Sequence, residues 1–215
     1  MNIVTTLRGV VVHFQKMEYP TNLFITDLIG EVQRRYRFLE APNKAEGIDL
    51  EKGLHFALGI FEGTTIDALD VFADGLTARA SAKTDVIDRF LTDLSEWASK
   101  TLHVSIQAAE PVAKGYLSTL EVSPSKDLAI WANGMTSLGQ MLDAMLVVQG
   151  FAIAPYQTIG LAMHADKKTA WPLHPAKFLF ERRIGQSYDD NVFFSEAPVP
   201  TSDHIKLLEQ LENLL

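Results

Sequence analysis

The chain has no cysteine among its 215 residues. Disulfides, thiolate nucleophiles, iron–sulfur clusters and cysteine-held zinc are therefore outside its chemistry. Basic charge is also scarce. With 19 Lys and Arg against 27 Asp and Glu, the net charge is −8. Gripping nucleic acid takes clustered Lys and Arg to displace the counterions on phosphate, so general nucleic-acid binding is not expected. No apolar run approaches the roughly 18 residues of a membrane span, and the start, Met1 to Arg8, lacks the charged-then-apolar layout of a secretory signal. These absences lead to the expectation of a cytoplasmic protein without a membrane partner. Catalytic signatures are missing too. There is no Gly-x-Ser-x-Gly nucleophile turn, and Gly134 to Gly139 has two glycines near a helix start but lacks the Lys of a phosphate loop.

What is present is ordinary globular composition, 47% hydrophobic and 21% charged. Leu54, Phe56, Leu58 and Ile60 alternate with small or polar neighbours and predict a strand burying those four side chains. Glu62 to Thr65 supplies a turn. Residues 66–80 admit two readings. As a hairpin about Asp74-Gly75, Ala73 faces Leu76, Val71 faces Ala78, Leu69 faces Ala80, and Asp70 lies opposite Arg79. As an amphipathic helix, Ile66, Leu69, Ala73 and Leu76 form its stripe. The segment from Lys83 to Lys100 is unambiguous: Ile87, Phe90, Leu91, Leu94, Trp97 and Ala98 share one helical face, while Arg89 with Asp93 and Glu96 with Lys100 sit four apart on the wet side.

Elsewhere, Val10 to Phe14, 103–107, 116–122, 159–163, 177–183 and 191–195 predict strands. Residues 23–39 predict a helix; so does the stretch opening at Gly134, whose buried stripe would be Leu138, Met141, Leu142, Met145 and Leu146. A final helix carries Ile205, Leu208, Leu211 and Leu215, widened by Leu207 and Leu214. The expected fold is a single compact α+β domain over 1–215, mainly antiparallel strands with helices on the sheet face. Residues 23–102 and 135–215 each spell helix, three strands, helix, which reads as an internal pseudo-repeat.

Every polar cluster has an adequate structural explanation. The methionines of the second half suit adaptable core filling, and the carboxylates Asp67, Asp70 and Asp74 suit a solvated edge. The expected function is non-catalytic: protein–protein contact, as a homo-oligomer or an accessory subunit, with no cofactor. Trp171 in a proline-bounded loop, the basic group Lys177, Arg182 and Arg183, and Leu211, Leu214 and Leu215 on the last helix are the interaction candidates. The alternative is a hydrolase or metal-dependent enzyme in which His164, Asp166 and His174 converge on one site.

Overall fold

The computed structural model describes residues 1–21, 23–42, 51–108, 114–125, 135–149, 156, 158–165 and 175–214. Their order is β1 (Asn2–Glu18), α1 (Ile25–Tyr36), β2 (Leu54–Phe61), β3 (Thr64–Phe72), β4 (Gly75–Ala80), α2 (Thr84–Leu102), β5 (Ser105–Ala108), β6 (Lys114–Ser123), α3 (Thr136–Val148), β7 (Gly160–Met163), β8 (Phe178–Arg182), β9 (Phe193–Ala197) and α4 (Thr201–Leu214). The strands join one sheet in the order β2-β3-β4-β1-β6-β9-β8-β7, with β5 added to the far end of β1. Every pairing described is antiparallel. The chain is α+β, as its alternating and helical periods led us to expect.

The centre of the sheet is the pair β1 and β6, where Gly9 lies opposite Ser118. On their other sides Gly9 faces Ala80 of β4 and Ser118 faces Ala197 of β9. β4 runs on into α2 and β9 into α4, so both helices start beside this central seam. Gly9 has to be a glycine, since a Cβ there would lie 2.6 Å from the Ala82 carbonyl oxygen and 2.7 Å from Ile87 Cδ1. That close approach lets the first turn of α2 sit on the strand.

Residues 66–80 form the hairpin and not the helix, with Val71 opposite Leu76 and Leu69 opposite Ala78. The register differs by two residues from the one expected, because the two-residue loop is Ala73-Asp74 rather than Asp74-Gly75. A slip of two preserves which side chains face the core, so Leu69, Val71, Leu76, Ala78 and Ala80 are all buried. Asp70 still reaches Arg79 diagonally at 3.9 Å. β2 corrects a second expectation. Leu54 and Phe56 are buried, but Leu58 and Ile60 are exposed. Leu58 has a φ of 58° and lies between the pairs Ala57–Ala68 and Gly59–Ile66, across which the register is unchanged. This left-handed backbone breaks the alternation, so that Ile60 points outward and Phe61 packs against the core.

The main core lies between β1–β4 and the helices α1 and α2. Phe90 is its aromatic centre, with ring centroids 4.9 Å from Tyr36, 5.5 Å from Phe61 and 6.5 Å from Phe38. Tyr36 donates to Asp93 at 2.6 Å, and Arg35 grips the same carboxylate at 2.9 and 3.0 Å while lying over the Trp97 ring. Asp93 therefore pairs across elements, and its expected partner Arg89 reaches Glu62 instead, at 2.8 Å. Glu96 and Lys100 do pair along the helix at 3.0 Å. A smaller core gathers Leu120, Val122, Phe180, Phe193 and Leu208 under α4. Its stripe is rotated from the one expected: His204, Leu208 and Glu212 point inward, Ile205 and Leu211 flank them, and Leu207 and Leu214 are exposed. Polar side chains can take inward positions there because each meets a partner. Glu212, for example, accepts from the Ser125 N–H and hydroxyl at 2.6 and 2.7 Å.

Candidate functional site

Three places combine chemistry-bearing or unusual side chains. The first is the seam between α2 and α4. Thr84 Oγ1 accepts the Thr201 N–H at 2.7 Å, and Thr201 Oγ1 accepts the Thr84 N–H at 3.0 Å. Each threonine caps the helix opposite its own, satisfying two of the amide donors that helix starts leave free. The network continues inward. Ser118 Oγ lies 3.1 Å from Thr201 Oγ1 and 3.1 Å from His204 Nδ1, and His204 Nε2 lies 2.9 Å from Ser195 Oγ. Ser195 gives its proton to the Leu179 carbonyl at 2.9 Å. Nε2 therefore carries the imidazole hydrogen, and Nδ1 accepts from Ser118, which fixes a neutral tautomer. Burial pushes the His204 pKa down to about 4. A serine beside a histidine is the geometry of an activated nucleophile, yet Ser118, Ser195, Thr84, Thr201 and His204 are all 0% exposed. With no access for substrate, the network joins elements.

The second place lies along β1. Val11, His13 and Gln15 point to the α2 side. His13 Nε2 lies 2.5 Å from Asp88 Oδ1, and Gln15 donates to Ser95 at 3.3 Å. Lys114 of β6 binds both oxygens of Asp88, at 2.8 and 3.1 Å. Burial lowers the His13 pKa, against the opposing pull of its Asp88 hydrogen bond. Burial raises that of Asp88, but the bonds from Lys114 and His13 outweigh it and bring the carboxyl below its ordinary value. The carboxylate is shared between two cations or donors, and its charge is spent within the cluster. Next to it, Met17, Tyr19, Val32, Phe56 and Leu94 enclose a cavity of about 30 Å³ without polar lining. That is room for roughly one water, far short of the 150 Å³ that holds a benzene.

The third place is α3. None of its described side chains is buried. Leu138, Met141, Leu142 and Met145, expected to form a buried stripe, are 56, 57, 39 and 57% exposed, and Val147 and Val148 are 60 and 88% exposed. The spacing for an apolar face is there; no described element covers it. Close to it, Asp143 accepts the Tyr156 N–H at 3.0 Å, and Gly139 allows the Tyr156 carbonyl to pass against the helix.

Of the residues singled out from the sequence, His164 is exposed just past the end of β7, while Asp166, His174, Trp171 and Leu215 lie outside the described residues. Among the described residues no group of three or more His, Asp or Glu side chains is arranged to hold a metal ion. Lys177 is exposed. Arg183 pairs with Glu121 at 3.3 Å, and Arg182 is turned inward with its guanidinium 5.1 Å over the Phe193 ring. Leu211 is partly buried against the smaller core, and Leu214 is 82% exposed. Sequence reasoning missed the His13–Asp88 and His204 networks. A signal existed for the first: the period-two inward run of Val11 continues through His13 and Gln15, which calls for polar partners on whatever packs there. Among the described residues no helix is long and apolar enough to cross a membrane. Comparison with protein-family models and with curated proteins gives no match for this chain.

Proposed function

We propose that the protein acts by protein–protein contact in the cytoplasm, as part of a homo-oligomer or as an accessory subunit, and not as a catalyst. The observation that carries this reading is the apolar surface of α3, left in water by the rest of the described chain. A helix apolar over so wide an arc is stable only when something covers it. Its Met135, Met141 and Met145 are unbranched and polarisable, which suits a surface that conforms to a partner. β7 adds to it. Its inner edge pairs with β8, and among the described residues nothing pairs with its outer edge, whereas the opposite edge strand β2 is shielded by the bridge between Glu40 and Ala57. The polar networks support the same reading, since their donors and acceptors are committed to one another.

The test is affinity capture from the native host with the wild-type chain and with a variant carrying Met141→Asp and Met145→Asp. A partner, including untagged copies of the chain, is expected with the wild type and is lost with the variant. Equal recovery by both, or recovery of nothing by either, would count against the proposal.

A further inference from the structure

We infer that α3 packs against α3 of a second copy of this chain, so that the protein is a two-fold dimer joined through this helix; the inference rests on the contact reading above and names its partner. α1 shows what a covered helix of this chain looks like. It buries Leu28, Ile29, Val32 and Tyr36 and keeps Glu31, Arg34 and Arg35 on its wet side. α3 has no such division. Asp143 is its one charged residue, and the carboxylate is already engaged by the Tyr156 N–H. Leu138, Met141, Leu142, Met145 and Val148 fall on one broad side at spacings of three and four residues, and Val147 extends the apolar surface round the helix.

The area matches what a dimer needs. Exposed apolar side chains of this size leave on the order of 100 Å² each in water, so Met135, Leu138, Met141, Leu142, Met145 and Val148 present about 600 Å² to one side, the low end of the roughly 600–1,000 Å² per partner of a standard interface. That is at the top of the roughly 300–600 Å² range of the largest apolar patch on an ordinary monomer. Charge selects the occupant. A helix that lies on an anionic membrane carries Lys and Arg on its polar face, and a strongly charged protein partner calls for opposite charge on the docking surface. α3 has no cation to offer, and its single carboxylate, Asp143, falls by helical spacing on the side away from Leu138, Met141, Met145 and Val148. Two identical apolar faces need no complementary charge, and in a chain of net charge −8 a face without Asp or Glu keeps the repulsion between two copies low.

The experiment is sedimentation equilibrium on the full chain from about 1 to 100 µM, a range spanning ordinary micromolar association. The wild type is expected to reach twice the 23.9 kDa chain mass. Met141→Asp with Met145→Asp should weaken association at least ~100-fold and leave a monomer with unchanged circular dichroism, and because both side chains are exposed the variant folds. Leu214→Ser, on the exposed end of α4, should leave the dimer intact. A wild-type monomer throughout, or a double variant that dimerises as before, overturns the inference. Amide exchange in α3 separates this failure from that of the contact reading. Rapid exchange in a monomer leaves α3 free for a different protein, and strong protection in a monomer means the helix is covered by its own chain, which removes both.

Discussion

Phe90 and His204 are both 0% exposed, and they make opposite demands on their surroundings. Phe90 needs only contact, which three aromatic rings supply. Phe90→Ala removes that contact and opens a cavity, so chemical denaturation should show a loss of about 3–5 kcal/mol. His204 needs hydrogen-bond partners in a fixed tautomer, and burial holds its pKa near 4 against 6.5 when exposed. Below pH 6.5 the unfolded chain takes up a proton that the folded chain refuses. Its contribution is complete above pH 6.5 and is lost as pH falls toward 4, by on the order of 3 kcal/mol. The His13 pKa is shifted in the same direction and adds to the slope. His204→Ile should flatten stability against pH between 4 and 6.5, leaving the part due to His13, and should cost about 1–2 kcal/mol at pH 7 because Ser118 loses its acceptor. An unchanged slope in urea titrations across that range would contradict the assignment.

Between elements, the decisive contacts are those that no single segment contains. Thr84 and Thr201 are 117 residues apart, and each caps the other's helix. Losing one cap costs about 0.5–2 kcal/mol. Thr84→Ala and Thr201→Ala should each fall in that range, and the double variant should be less destabilised than their sum, since both changes remove the one hydroxyl–hydroxyl bond between Thr84 and Thr201 at 3.1 Å. Additive losses in a double-mutant cycle would mean the two caps are independent. The hairpin at 66–80 shows what segment-level reasoning can reach. Strand alternation told which side chains face inward, and the structure kept that face while moving the register by two residues. At Leu58 the same reasoning failed, because the residue takes a left-handed φ of 58° that a leucine in an alternating run does not announce.

For the whole molecule, burial is unequally distributed. The larger core takes in α1, α2 and β1–β4, while the half beyond β6 relies on a small core under α4 and ends in the edge strand β7. Native-state amide exchange should therefore be slowest in β3, β4 and α2 and fastest, among the strands, in β7. Uniform protection across the sheet would show that the two regions open together. The α+β class, most strand positions and the buried face of α2 were legible in the sequence, because periods of two and of 3.6 residues report directly on which side of a segment is kept from water. The placement of α3 was not. Its apolar spacing says that the helix should be covered, and only the packing of the rest of the chain shows that no described element covers it. The same holds for His13 and His204. Their neighbours in space come from other elements, so what they bond to, and the proton each holds, depends on how the strands and helices are brought together.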